Sequence, residues 1–161
     1  IRDRDSLALQ HRYRLMWMDV PYEPGEVKVV AYDASGKPAE EKVIRTAGKP
    51  HHLELVADRT RLSADGKDLA YITVRVVDKD GNLCPADSRM VNFSVKGAGK
   101  YRAAANGDAT SLDLFHLPKM PAFSGQLTAI VQSGEQAGEI VFEARAKGLK
   151  SGKLVLYTSE K

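Results

Sequence analysis

The 161-residue chain is 43% hydrophobic and 28% charged, ordinary proportions for a globular protein of one domain or two small ones. Its net charge of +3 is spread over basic residues interleaved with acids, which reads as a solvated mixed surface and argues against a nucleic-acid or membrane patch. The single cysteine, Cys84, excludes an internal disulfide and a cysteine-built zinc site, and no apolar run approaches membrane-spanning length.

Residues 1–12 carry charges of both signs with little apolar periodicity. The chain opens on Ile-Arg-Asp-Arg-Asp with no signal peptide, which suggests a piece of something longer. Tyr13, Leu15 and Trp17 then alternate with Arg14, Met16 and Met18, predicting a strand over residues 13–19 with the sole tryptophan on its buried face. At Val20-Pro21-Tyr22-Glu23-Pro24-Gly25 the chain turns, Pro24 presetting φ and Gly25 accepting a positive φ. Strands are expected over Glu26–Tyr32, where Val27, Val29 and Ala31 alternate with Lys28, Val30 and Tyr32, and over residues 41–46, joined by the turn Asp33-Ala34-Ser35-Gly36-Lys37-Pro38. About three strands bury too little apolar surface for independent stability, so an upstream segment is expected to supply the other sheet. Gly and Pro make Ala47-Gly48-Lys49-Pro50 the clearest boundary. It separates residues 1–48, the C-terminal part of a first module, from residues 49–161, a complete second one.

The strand pattern restarts at His52–Ala57. His51 and His52 are adjacent, adjacent strand residues point to opposite faces, and no third ligand sits at a useful spacing, so no metal site is expected there. Asp65-Gly66 and Asp80-Gly81-Asn82 bracket the strand Leu69–Val77, with Ile72, Val74 and Val76 on its dry side and Tyr71, Thr73, Arg75 and Val77 on the other. Cys84, just before Pro85, reads as a half-buried filler rather than a nucleophile. A strand over residues 91–95 places Val91, Phe93 and Val95 on one face. Further strands are expected at residues 101–105, 110–115, 126–132, 139–146 and 153–158, with His116 to Pro121 as a proline-bracketed loop. Short strands at this spacing, with Gly-bearing turns and no convincing helix, predict an all-β fold of two immunoglobulin-like β-sandwich modules in tandem, the first truncated at its N-terminus.

Chemistry is sparse. No serine sits in a G-x-S-x-G turn, and there is neither a phosphate loop nor a His-Glu-x-x-His pair. Asp78-Lys79-Asp80-Gly81-Asn82 resembles a calcium loop faintly but lacks the closing glutamate, so a hairpin turn is the simpler reading. Asn106-Gly107-Asp108 reads as a plain turn, with a ligand-facing loop as the alternative. The expectation is a chain that is not an enzyme by itself: no catalytic residue, no cofactor-binding residue, no metal ligand and no cofactor.

An ordered series of motifs resembles a known family. The run Arg14-Leu15-Met16-Trp17-Met18-Asp19-Val20-Pro21-Tyr22-Glu23-Pro24-Gly25 leads through Val30-Ala31-Tyr32 to the exit Thr46-Ala47-Gly48-Lys49-Pro50. It is similar to the second half of the immunoglobulin-like domain that follows the catalytic barrel in bacterial family 2 glycoside hydrolases of the β-galactosidase type. Leu62-Ser63-Ala64-Asp65-Gly66-Lys67-Asp68-Leu69-Ala70-Tyr71-Ile72-Thr73-Val74, Val91-Asn92-Phe93, Gly97-Ala98-Gly99, Asn106-Gly107-Asp108 and Ala122-Phe123-Ser124-Gly125 resemble that family's further C-terminal domain. The opening "N-x-x-x-VELFLNG" strands of the family's first accessory domain have no counterpart here, and its catalytic glutamates belong to a barrel upstream of Ile1.

The resemblance implies a non-catalytic C-terminal region of a secreted, periplasmic or extracellular enzyme of carbohydrate degradation, with the catalytic and other domains of the parent chain as partners. A carbohydrate-binding module is the second reading, since Trp17, Tyr13 and Tyr22 lie on or beside one strand and corner, where sugar rings stack on exposed aromatics. An adhesin-like spacer is the third, because the Ala64-Asp65-Gly66 phrase also resembles invasin-type repeats. No nucleic acid and no membrane insertion are expected. Unpaired edges in the truncated first module favour self-association through the first fifty or so residues.

Overall fold

Period-two alternation decides the architecture: in a computed structural model that describes residue 17 and residues 19–160, every regular element is a β-strand. The chain divides into two units, Ile1–Thr46 and Ala47–Lys161. The division falls after Thr46 rather than after Gly48 because the Gly48 N–H donates to Asp78 Oδ2 at 2.7 Å and Ala47 packs on the core of the second unit.

In the first unit β1 (Glu26–Tyr32) and β2 (Pro38–Arg45) pair antiparallel, Val27 opposite Ile44 and Lys28 opposite Val43. Asp33 closes the turn between them, its Oδ1 accepting the Ser35 N–H at 2.8 Å and the Lys37 N–H at 2.9 Å. One face carries Val27, Val29 and Ile44, all exposed; the other carries the ion pairs Lys28–Glu41 and Arg45–Glu26 beside half-buried Val30 and Val43. The strand expected over residues 13–19 lies outside the described residues except for Trp17 and Asp19, and neither is in a strand. Trp17 is 50% exposed, against the expectation of burial. The described part of its unit is a two-stranded hairpin, which offers no second layer to cover an indole.

The second unit is a sandwich. Its strands are β3 (His52–Ala57), β4 (Arg61–Ser63), β5 (Leu69–Val77), β6 (Met90–Gly97), β7 (Gly99–Ala105), β8 (Lys119–Pro121), β9 (Gln126–Ser133), β10 (Gly138–Ala146) and β11 (Gly152–Ser159). They form a four-stranded sheet, β3-β5-β9-β7, and a five-stranded sheet, β4-β11-β10-β6-β8. Their inner faces meet in one core: Ile72, Val74 and Val76 of β5, Leu127 and Val131 of β9, Val91 and Phe93 of β6, Ile140 and Phe142 of β10, and Leu156 of β11. Phe93 lies between two rings, 5.8 Å from Tyr101 and 5.8 Å from Phe142.

Two glycines are required by close approach. A Cβ on Gly97 (φ +91°) would lie 2.1 Å from the Glu139 carbonyl oxygen, and one on Gly125 (φ +76°) would lie 2.3 Å from that of Cys84. Gly125 follows Ser124 at φ +50°, so both central residues of the Phe123–Gln126 hairpin have positive φ and give it the twist of its strands.

Three local expectations are corrected, and one pairing is unforeseen. Residues 110–115 form no strand: Asp108 and Ser111 use their side chains to bond the backbone two residues on, and Leu112, Leu114 and Phe115 all face solvent. The expected loop over residues 116–121 contains β8, whose Met120 is fully buried and pairs with Val91. Proline fits there because β8 is an edge strand. Val77 is buried, because the following turn folds back and bridges it to Leu83. Finally, β4 pairs parallel with β11 from the far end of the chain, a partnership that local pattern does not reveal.

Candidate functional site

Carboxylates are the first place to look for chemistry, and here they are committed to the backbone. Asp78 is 2% exposed and accepts four hydrogen bonds. Oδ2 takes the Gly48 N–H at 2.7 Å and the Asn82 side-chain amide at 3.0 Å, while Oδ1 takes the Asp80 and Asn82 N–H groups at 2.9 Å each. These donors, the Gly48 N–H foremost, hold its carboxyl far below the usual carboxylate range. The segment with the calcium-loop flavour is thus a turn closed by its own first aspartate.

Other acids are engaged in the same way. Asp58 accepts from Tyr71 N–H, and Asp68 accepts from Ser63 N–H, tying β4 to the start of β5. Asp87 takes the Arg89 guanidinium through both oxygens, which lowers its carboxyl and raises the arginine; Arg89 also donates to the Lys147 carbonyl at 2.8 Å. Asp108 is lowered by the Thr110 hydroxyl and N–H. Among the described residues, every carboxyl group with a clear shift is shifted downward.

The remaining sequence candidates separate. His51 and His52 do not point apart: their Nδ1 atoms approach to 3.0 Å with rings edge to face, because His51 lies just before the strand and is free of its alternation. One ring must donate and the other accept. No group of three or more His, Cys, Asp or Glu that could hold a metal occurs among the described residues. Cys84 is 5% exposed and burial raises its thiol pKa, so it is a filler deeper than expected. Asn106 and Asp108 form a turn, Asn106 Oδ1 accepting the Asp108 N–H and its amide donating to the Pro121 carbonyl. Tyr22 is 78% exposed like its neighbour Trp17, while Tyr13 lies outside the described residues.

What the sequence did not display is the contrast between the outer faces of the two sheets. On the five-stranded sheet the outward rows that cross three strands read Arg61–Tyr157–Glu139, Val155–Val141–Lys96, Lys153–Glu143–Ser94 and Arg145–Asn92–Lys119, with charge in each; the two-residue rows Ser63–Ser159 and Met90–Pro121 at the ends carry none. On the four-stranded sheet two adjacent rows carry none: Val56–Thr73–Thr128–Ala105 and Tyr71–Ile130–Ala103. Charge returns at the borders, with the Glu54–Arg75 pair at 2.6 Å on one side, Lys100 and the bulged Arg102 on the other, and Asp58, which accepts the Tyr71 N–H, at the β3 end of the second row. Beyond the free edge of β7, the loop over residues 106–118 lies along the strand: the Phe115 carbonyl accepts the Ala104 N–H at 2.9 Å and the Tyr101 hydroxyl at 3.0 Å.

Comparison with known proteins places these features. The family model described as glycoside hydrolase family 2 C-terminal domain 5 matches residues 53–155, and a domain of unknown function, DUF4982, matches residues 2–40. A β-galactosidase of Bacteroides ovatus is 42% identical over 159 residues, which are 99% of this chain and 18% of that protein. The crystal structure of a glycosyl hydrolase family 2 member from Bacteroides cellulosilyticus DSM 14838 superimposes with a TM-score of 0.81 at 30% identity, over 93% of this chain and 20% of that one. A β-glycosidase from Bacteroides vulgatus gives a TM-score of 0.83 at 26% identity, over 89% and 18%. The chain therefore spans about a fifth of the length of the relatives it matches.

Proposed function

Because the chain belongs to the glycoside hydrolase family 2 C-terminal domain 5 family, we propose that it is a non-catalytic accessory region of a β-galactosidase-like glycoside hydrolase acting outside the cytoplasm. Its work is structural, packing on and extending the rest of the parent polypeptide. The observation that supports this reading is the state of the acids. Glycoside hydrolysis takes two carboxyl groups facing each other across the bond, one of them held protonated by a raised pKa. Here the shifted carboxyls are all lowered and turned to backbone N–H groups, to a neighbouring hydroxyl or amide, or to arginine. A chromogenic β-galactoside tests the proposal: the longer polypeptide should turn it over and the 161-residue chain should not. Turnover by the isolated chain, lost on no upstream residue, would overturn it.

The second reading, a carbohydrate-binding module, is favoured by one observation, the exposure of both Trp17 and Tyr22. Trp17 is the sole tryptophan, so its emission reports on that corner directly. Titration with a panel of plant and host glycans should leave the emission flat. A saturable shift that disappears in Trp17→Ala would put sugar binding ahead of the scaffold role.

A further inference from the structure

We propose that the neutral outer face of the four-stranded sheet, widened by the loop beside β7, is the surface on which this module seats against the upstream domains of its own polypeptide. The proposal rests on the accessory reading above. A solvated sheet face is ordinarily polar, and on the five-stranded sheet of this same unit every outward row of three strands carries charge. The four-stranded sheet instead presents one uncharged row across all four strands, Val56–Thr73–Thr128–Ala105, and beside it the uncharged run Tyr71–Ile130–Ala103 on three strands, closed at its β3 end by Asp58; Val56 is 51% and Tyr71 44% exposed, and Ile130 is half-buried. At the β7 edge the loop adds Leu112, 96% exposed, with Leu114 and Phe115 at 57% each. That loop is held in place by the bonds from Ala104 N–H and the Tyr101 hydroxyl to Phe115 and from the same hydroxyl to Leu117, so its apolar residues are presented from a fixed backbone.

The character of the face selects the occupant. A freely diffusing protein partner needs a buried aromatic or arginine hot spot, or complementary charge to steer it. The two neutral rows offer one tyrosine and no charge, and the loop adds Phe115, which makes no ring contact with that tyrosine, so the rings form neither a packed hot spot nor a stacking platform for a sugar chain. A tethered partner needs neither, because covalent linkage supplies a high effective concentration and a flat neutral surface then suffices. The relatives supply such a partner: this chain makes up 18% of the Bacteroides ovatus protein, leaving most of that polypeptide to pack against it.

Cysteine labelling tests the assignment. Val56→Cys and Ala105→Cys mark the two ends of one neutral row, and Ser94→Cys marks the charged face as a control. Each is placed in the longer polypeptide and in residues 47–161 alone, a unit with its own core, and the maleimide rate at the site is read by peptide mass spectrometry. Both face positions should react roughly tenfold or more slowly in the longer polypeptide, since label reaches only the open fraction, while Ser94→Cys reacts alike in the two. Equal rates at Val56→Cys and Ala105→Cys in the two contexts overturn the proposal. So does protection that appears in the isolated unit and grows with its concentration, which would assign the face to a second copy. β-Galactoside hydrolysis in the same samples reports separately on the accessory reading, since turnover by the isolated unit sinks that reading whatever the labels do.

Discussion

Asp78 concentrates in one side chain the bonding that holds the start of the sandwich to its first hairpin turn. Two of its four donors come from the adjoining turn backbone, one from the Asn82 amide, and one from Gly48, thirty positions earlier. Asp78→Asn keeps the size but turns an amide N–H₂ toward donors that need an acceptor, so the second unit should unfold at lower urea at pH 7. The pH dependence has a definite sign. The folded carboxyl is depressed from its ordinary value of 3.8, so its contribution is complete above that value and is lost as pH falls through the folded one. The stability gap between the parent chain and Asp78→Asn should therefore narrow as pH drops below about 4, because the unfolded chain's Asp78 takes up a proton there while the folded carboxylate does not. Asp87, held down by Arg89, loses its contribution in the same direction but equally in both proteins. A gap that stays constant from pH 7 to pH 3 would show that the charge of Asp78 is not what the turn uses.

At the scale of elements, the loop over residues 106–118 is the instructive segment. Tyr101 stacks its ring on Phe93 inside the sandwich and donates its hydroxyl outward to the carbonyls of Phe115, at 3.0 Å, and Leu117, at 2.6 Å. Burial pushes its phenol up to about 12, so the donor stays protonated across the working range. Tyr101→Phe keeps the stacked ring and deletes only the two bonds; it should cost about 1 kcal/mol and speed amide exchange in residues 111–117 without touching β5 or β9. Equal acceleration in the central strands would mean that the loop is part of the core's cooperativity. The same loop marks where sequence reading failed. Strands flanked by core residues on both sides, such as Leu69–Val77 and Gln126–Ser133, are legible because alternate side chains must be apolar to meet the other sheet. Leu112 and Leu114 alternate just as well, yet they face water, and Met120, beyond Pro118, is the residue that is buried. Alternation records that a face is apolar, not what covers it. The neutral rows were hidden for a related reason. Thr73 and Thr128 are unremarkable apart, and only the register of β5 on β9 sets them side by side.

For the whole molecule, the distribution of the core decides what each unit can do alone. Every buried residue of the hydrophobic cluster lies between Leu53 and Leu156, within the second unit. The described hairpin of the first unit has Val27, Val29 and Ile44 exposed on one side and solvent-screened surface ion pairs on the other, which add little stability. A two-stranded hairpin with these resources is marginal in water, whereas two sheets sharing an interior are not. Residues 47–161 expressed alone should therefore unfold in one cooperative transition with the same midpoint as in the 161-residue chain, and β1 and β2 amides should exchange far faster than those of β5 and β10. The exposed valines of β1 favour self-association, so light scattering should show mass rising with concentration for the full chain and not for residues 47–161. A monomer at every concentration, with β1 and β2 as protected as the sandwich, would mean that the first unit is stable in its own right.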